Sequence, residues 1–86
     1  TIWFRFYGCC TGAGGSLLRE AIEAGADAFI TGEIAEHHIH EARESDVALI
    51  AAGHHATECD GVAALGAHIA KQFGVAYQFI DVDSPL

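Results

Sequence analysis

The 86-residue chain is long enough for one small domain, and its 51% hydrophobic content excludes a disordered protein. Twelve acidic residues against four basic ones give a formal net charge of −8, which argues against binding to nucleic-acid backbone or to an anionic membrane surface. The sequence has no apolar run near the roughly 20 residues of a membrane span. Its three cysteines, an odd number with two adjacent, fit free thiols in a reducing cytoplasm better than a disulfide framework.

Segments typical of strands alternate with segments typical of helices along the chain. Strands are predicted where apolar, β-branched and aromatic residues run together, over residues 1–7, 28–31, 46–52 and 75–82. Helices are predicted where apolar residues recur every three or four positions, over residues 16–24, 33–43 and 57–73. Thr57 is the expected capping residue of the last helix, and Gly25 and Gly74 are expected to end the first and last helices.

This alternation predicts a three-layer α/β fold, in which a mainly parallel or mixed four-stranded sheet packs against the connecting helices. Residues 1–86 are interpreted as a single α/β domain, and the apolar start at Thr1 indicates a part of a longer protein. Ligands of such sheets bind at the carboxyl ends of the strands. A functional site is therefore expected among the three segments that leave those ends, over residues 8–15, 31–33 and 53–58.

The last of these segments contains two imidazoles and a carboxylate within five positions, at His54, His55 and Glu58. His54 lies four positions before Glu58 and His55 three, so either histidine can share a helix face with the carboxylate. Imidazole and carboxylate together suit a divalent transition metal, although a complete site needs further ligands. The spacing alone leaves a second interpretation open, namely an ordinary helix start at which the histidines are solvated.

The glycine-rich loop over residues 8–16 follows a predicted strand and opens a predicted helix. Its backbone amides could hold an anion such as a substrate phosphate, but it lacks the lysine of a Walker loop. The alternative is a tight turn in which small residues allow close packing. Cys9 and Cys10 within it are interpreted as small buried hydrophobic residues rather than as ligands or a nucleophile.

The second predicted helix is rich in histidine and glutamate. Glu33 with His37, and Glu36 with His40, are pairs four positions apart, which is typical of an exposed polar helix face. Glu33 differs from the others because it follows a strand directly and can reach a site at the sheet edge. The two aspartates near the end of the chain, Asp81 and Asp83, are interpreted as parts of a solvated terminus.

Four segments occur in the order found in a known family, with the sequences G-C-C-T-G, G-A-D-A-F-I-T-G-E, A-G-H-H-A-T-E and F-I-D followed by S-P. Together they resemble the C-terminal part of the YbgI-type dinuclear metal-binding family, whose members are often described as GTP cyclohydrolase I type 2 homologues. The resemblance covers about residues 8–86. The second and third segments are its most specific parts.

The resemblance implies a protein with two similar α/β lobes, a mixed sheet in each, and a toroidal hexamer as its assembly. Two divalent metal ions are expected between the lobes, with Zn, Mn, Fe and Ni all plausible identities. The N-terminal part supplies a His-His pair and an Asp, so His54 and Glu58 are the ligands expected from this chain. His55 occupies a position where relatives carry Tyr and is expected to support the ligands. Glu33 is expected near the site without an assigned role.

The resemblance also implies a cytoplasmic metal-dependent hydrolase that acts on a nucleotide-like substrate, with a metal-bound water as nucleophile. One alternative is a non-enzymatic subunit that stores, delivers or senses metal. Another is a phosphate-binding or structural module in which the histidines have no role. No catalytic residue and no organic cofactor is predicted. Because the N-terminal lobe is not part of these 86 residues, the isolated chain is expected to lack most metal ligands and to be inactive.

Overall fold

The computed structural model describes residues 5–86, and its elements alternate along the chain as an α/β fold. A three-stranded parallel sheet is formed in the order β1 (Tyr7–Cys10), β2 (Ala28–Thr31) and β3 (Ala48–Ala51). The helical elements are a 3₁₀ turn (Gly14–Leu17) that leads into α1 (Leu18–Glu23), α2 (Glu36–Glu44) and the twenty-residue α3 (His54–Phe73). Within residues 5–86, no helix combines the length and the hydrophobicity needed to cross a bilayer.

The core lies on one face of the sheet. Leu18 of α1, Phe29 of β2 and Ala42 of α2 are each at most 3% exposed and pack together. Gly8 of β1 lies beside Phe29 in the sheet, and a Cβ there would approach the Phe29 ring to 3.1 Å, so glycine allows this close packing. Both α1 and α2 therefore cover the same face.

The opposite face of the sheet is open to solvent, which differs from the three layers predicted. Tyr7 and Cys9 of β1 and Ile50 of β3 are exposed on it, because side chains of a strand alternate between faces and their neighbours face α1 and α2. The long helix α3 does not fill this layer, and it has no buried residue. The described residues thus form two layers.

The predicted fourth strand, residues 75–82, is not formed. Helix α3 carries the chain about 30 Å away from the sheet edge, at 1.5 Å per residue. After Gly74 ends the helix at φ 66°, the tail returns along α3, with the Tyr77 ring against Gly66 and the Leu86 carbonyl accepting a hydrogen bond from the amide of His55 at 3.0 Å. Because residues 75–86 pack along α3, they do not lie beside an edge strand of the sheet.

The bounds of the other elements agree with the predictions in part. The predicted strand over 28–31 has the bounds observed for β2, and Gly74 ends α3 as predicted. Helix α2 begins at Glu36 rather than at residue 33, because the amide of Ala35 donates to Nδ1 of His38 at 2.9 Å. The predicted first strand over residues 1–7 falls mostly outside the described residues, and β1 begins at Tyr7.

The start of α3 corrects the prediction that Thr57 caps it. Gly53 adopts a φ of 97°, a conformation that favours glycine, and this turns the chain directly from β3 into a helix that begins at His54. Thr57 lies inside the helix, where its hydroxyl donates to the Gly53 carbonyl at 2.7 Å. The earlier start places His54 and Glu58 one helical turn apart on the same helix.

Candidate metal centre

The three segments that follow the strands meet at the carboxyl edge of the sheet, as predicted. The amide of Glu33 donates to the Gly12 carbonyl at 3.0 Å, which joins the segment after β2 to the segment after β1. The amide of Gly53 donates to the Gly32 carbonyl at 2.9 Å, which joins the segment after β3 to the segment after β2. These bonds hold the backbones of the site in a fixed relation.

Two backbone groups of the glycine-rich loop are bonded to a side chain of β2. The amide of Gly14 donates to the Thr31 hydroxyl at 2.9 Å, and that hydroxyl donates to the Gly12 carbonyl at 3.1 Å. Gly14 and Gly15 are buried, and a Cβ on Gly14 would lie 2.5 Å from the Thr31 oxygen. These contacts favour the tight turn, one of the two interpretations of the loop, because its small residues allow the close packing.

The imidazole of His54 lies between two carboxylates. Its Nδ1 is 2.5 Å from Oε1 of Glu33, and its Nε2 is 3.1 Å from Oε2 of Glu58. The three side chains are about 36–42% exposed, so a solute can reach them. The structure thus brings together His54 and Glu58, which were predicted as ligands, and adds a contact for Glu33, which had no assigned role.

The contact with Glu33 determines which nitrogen of His54 is available. An ionised carboxylate accepts hydrogen bonds only, so Nδ1 must carry the proton that it shares with Glu33. In the neutral ring, Nε2 is then an acceptor that faces a second acceptor, the Glu58 carboxylate. Two acceptors at 3.1 Å repel each other unless a proton or a cation binds both. A carboxylate that holds the far nitrogen of a ligand histidine is a common arrangement at metal sites.

In the metal-free chain, a proton is the cation available to this pair. The pKa of His54 is raised above its ordinary value of 6.5, mainly by the hydrogen bond to Glu33. The charge of Glu58 adds to the rise, and partial desolvation of the ring opposes it. Protons and metal ions therefore compete for the same nitrogen.

Gly12 leaves the outer side of the pair open. A Cβ built on Gly12 would lie 3.2 Å from Nε2 of His54 and 3.4 Å from Oε1 of Glu58. Gly12 also adopts a φ of 69°, which disfavours any other residue except occasionally Asn or Asp. Any side chain at position 12 would fill the space beside the two ligand atoms. Glycine leaves that space free, so the residues present fit a metal ion.

Replacing Glu33 by Gln is expected to lower the pKa of His54 in the metal-free chain, because a neutral amide stabilises the imidazolium less than a carboxylate does. The check is an NMR titration of the His54 ring protons. Glu36→Gln on α2 removes the same charge without touching His54, so its titration should match that of the parent chain. An equal His54 pKa in the Glu33→Gln variant would contradict the role given to this carboxylate.

The same pKa shift sets a pH dependence for stability. The pKa of His54 is higher in the folded chain than in the unfolded chain, so the folded chain binds the proton more tightly. This contribution to stability is fully present below the unfolded value of 6.5 and is lost as pH rises through the folded pKa. Glu33→Gln should reduce that loss, which urea unfolding on both sides of the transition measures.

His55 contacts partners other than Glu33 and Glu58, and sequence reasoning missed them. Its Nε2 lies 3.1 Å from Oδ1 of Asp81 and 3.6 Å from Sγ of Cys59. Asp81 is 66% exposed, as expected for a solvated terminus, but its contact with His55 was not predicted. The spacing of four between His55 and Cys59 was visible in the sequence, but a tail predicted as a strand gave no reason to place Asp81 beside them.

Both histidines open onto one cavity between α3 and the tail, with a volume of about 570 Å³. This is the size range of small-molecule sites. Its polar part contains His54, Glu58, His55 and Cys59, and its apolar part includes Val62, Phe79, Ile80, Val82 and Leu86. The cavity therefore combines two polar clusters, one around His54 and one around His55, with an apolar wall.

The remaining candidates lie away from this edge or have other contacts. Cys9 is exposed and Cys10 is half-buried, so Cys9 is not the buried residue that was predicted. The predicted Glu33–His37 pair is not formed, because Glu33 precedes α2 and contacts His54. The rings of His37 and His38 are tilted by 47° with 4.0 Å between their centroids, and the half-buried His38 ring lies against Gly15.

Comparison with known proteins identifies the family. A family model described as Duf34/NIF3 (NGG1p interacting factor 3) matches residues 6–85. The chain belongs to the Duf34/NIF3 family. A "GTP cyclohydrolase 1 type 2 homolog" of Haemophilus influenzae is 49% identical over 81 residues, which are 94% of this chain and 32% of the relative. One from Pseudomonas aeruginosa is 49% identical over 76 residues, which are 88% of this chain and 30% of the relative.

Two solved structures of relatives share the fold of this Duf34/NIF3 chain. Protein ybgI, described as of unknown function, has a TM-score of 0.85 at 45% identity over 91% of this chain and 32% of its own. TTHA1606 from Thermus thermophilus has a TM-score of 0.80 at 38% identity over 91% of this chain and 31% of its own. The predicted YbgI-type resemblance is confirmed. The chain spans about a third of the length of the curated relatives it matches.

Proposed function

We propose that this Duf34/NIF3 chain supplies part of a dinuclear metal site in a metal-dependent hydrolase that acts on a nucleotide-like substrate. The observation that carries the proposal is the pair of acceptors, Nε2 of His54 and Oε2 of Glu58, which face each other at 3.1 Å. Such a pair is stable only when a proton or a metal ion binds both atoms. The curated relatives named as GTP cyclohydrolase homologues support the choice of a nucleotide as the substrate class.

His54 and Glu58 are the residues that would hold an ion, with Gly12 leaving the space that it needs. A bound divalent ion supplies a water acidic enough to act as nucleophile near neutral pH. Glu33 keeps the proton of His54 on Nδ1, so that Nε2 stays available for binding. Imidazole and carboxylate ligands suit Zn, Mn, Fe or Ni, and the other ligands of two ions come from outside this chain in the proposal.

The proposal includes a further lobe and an oligomer in the cytoplasm. The open face of the sheet, with Tyr7 and Ile50 exposed, and an exposed stripe on α3 with Val62, Leu65 and Phe73 support a covering partner. We propose that the N-terminal lobe of a longer protein covers these apolar surfaces. We also propose that the complete protein assembles into a toroidal hexamer, as the sequence resemblance implies. The free thiols of the three cysteines fit a reducing compartment.

A metal-handling subunit is the second candidate, and one feature of the cavity favours it. None of the four basic side chains, Arg5, Arg19, Arg43 and Lys71, lines the 570 Å³ cavity formed by the described residues. Substrate phosphates would then depend on the metal ions, or on the rest of the protein, for charge neutralisation. A subunit that stores or delivers metal needs no such group.

A chimera tests the proposal, in which this chain replaces the matching third of the Pseudomonas aeruginosa relative. With Mn²⁺ or Zn²⁺ added after removal of bound metal, GTP should be converted to a new product, detected by chromatography. Glu58→Gln should reduce the rate at least about 100-fold, since it replaces a carboxylate ligand by a neutral amide that binds the ion more weakly. Glu44→Gln, the same change at the end of α2, should leave the rate unchanged.

The outcomes separate the candidates. Metal-dependent turnover that requires Glu58 supports the hydrolase. Tight metal binding that requires His54 and Glu58, without turnover of any nucleotide in a panel, supports the metal-handling subunit. A chimera that folds but binds no metal would overturn both.

A further inference from the structure

A second cluster of metal-ligating side chains lies beside the first but shares no residue with it. His55, Cys59 and Asp81 each place one ligand atom within 4.8 Å of the other two. His55 and Cys59 are half-buried on α3, one helical turn apart, while Asp81 reaches them from the tail. The cluster therefore joins α3 to the tail that packs along it.

Two of the three distances in this cluster are close to those within a tetrahedral zinc site, and the third is below 4.8 Å. With Zn–N and Zn–O bonds of about 2.0–2.2 Å and a Zn–S bond of about 2.3 Å, tetrahedral ligand atoms lie roughly 3.3–3.6 Å apart. The observed separations are 3.1 Å between Nε2 of His55 and Oδ1 of Asp81, and 3.6 Å between that Nε2 and Sγ of Cys59. Small movements of the side chains would place an ion at the centre.

The contacts of the His55 ring exclude a Cys-His-Asp catalytic relay. In a relay, the carboxylate binds one ring nitrogen of the histidine and the nucleophile binds the other. Here Asp81 and Cys59 both approach the same atom, Nε2 of His55. Three ligand atoms that lie within 4.8 Å of one another are instead compatible with one shared ion.

We propose that His55, Cys59 and Asp81 bind a thiophilic divalent cation, with Zn²⁺ as the expected ion and the fourth position open to the 570 Å³ cavity. Thiolate and imidazole ligands favour zinc over the hard cations. The Cys59 thiol donates to the carbonyl of His55 at 3.0 Å, so binding releases its proton to solvent and forms a sulfur–metal bond. The ion would fasten the tail to α3.

Cobalt(II) is the probe, because thiolate ligation gives it an intense charge-transfer absorption in the near ultraviolet that nitrogen and oxygen ligands do not. Titration of Co²⁺ into the metal-free 86-residue chain should develop this absorption to one equivalent, and Zn²⁺ should displace it. Cys59→Ser should abolish the band, and Asp81→Asn should weaken Co²⁺ binding about 10–100-fold. Asp81 lies outside every helix and strand, so this second variant tests the site without altering α3.

Matched controls separate this site from the one proposed above. Cys9→Ser and Cys10→Ser should keep the band, as should a His54→Ala/Glu58→Gln double variant, since neither residue belongs to this cluster. A Co²⁺ titration without thiolate absorption would overturn the proposal, as would a band that persists in Cys59→Ser. Failure of the His54–Glu58 site leaves these signals intact, so the two proposals fail independently.

Discussion

Replacing His54 by Ala is expected to lower the metal affinity of the complete protein at least about 100-fold, because it removes a ligand and leaves Glu58 without a partner. Mn²⁺ is the suitable probe, since it avoids thiolate ligands and so reports on the nitrogen and oxygen site alone. Titration calorimetry on the chimera measures the change. His68→Ala makes the same substitution on an exposed part of α3 and should leave the affinity unchanged.

Two glycine-to-alanine substitutions test the same site without removing a ligand. Gly12→Ala places a methyl group 3.2 Å from Nε2 of His54, whereas Gly25→Ala has a positive φ as well but meets nothing within 4 Å. Both variants carry about 1–2 kcal/mol of backbone strain. Only Gly12→Ala should also weaken Mn²⁺ binding. Equal affinities for the two variants, or an unchanged affinity in His54→Ala, would contradict the proposed position of the ion.

Leu18→Ala is expected to destabilise the chain by about 2–5 kcal/mol, the range for a fully buried leucine. Leu18 is 0% exposed and contacts Phe29 and Ala42, so its loss leaves a cavity at the centre of the core. A domain of this length has only roughly 4–13 kcal/mol of total stability. The variant should therefore lose a large share of the chain's stability, as urea denaturation monitored by circular dichroism would show.

The neighbouring residue is the control for this prediction. Leu17 is 41% exposed, so Leu17→Ala should cost about 1 kcal/mol or less. Similar losses in the two variants would mean that the core does not lie between α1, α2 and the sheet. Since α1 and the 3₁₀ turn before it support the loop that contains Gly12, a destabilised Leu18→Ala chain should also bind metal less well.

The site could be predicted only in part from the sequence. The spacing of His54 and Glu58 on a helix, together with the family resemblance, was enough to select both residues. The role of Glu33 was not accessible, because its contact with His54 depends on the parallel order of β2 and β3 and on a helix that begins at Glu36 rather than at Glu33. The spacing of four between His55 and Cys59 was visible in the sequence, but Asp81 was missed because the returning path of the tail was predicted as a strand.

The sequence by itself determined the features that depend on neighbouring residues. The α/β alternation, the bounds of β2, the end of α3 at Gly74 and the spacing of His54 and Glu58 all follow from local periodicity and backbone preference. The tertiary structure alone decided which face of the sheet is covered, and that the tail packs along α3. Those outcomes depend on which distant surfaces meet, and a local pattern of apolar residues is equally compatible with burial against a sheet or against a helix.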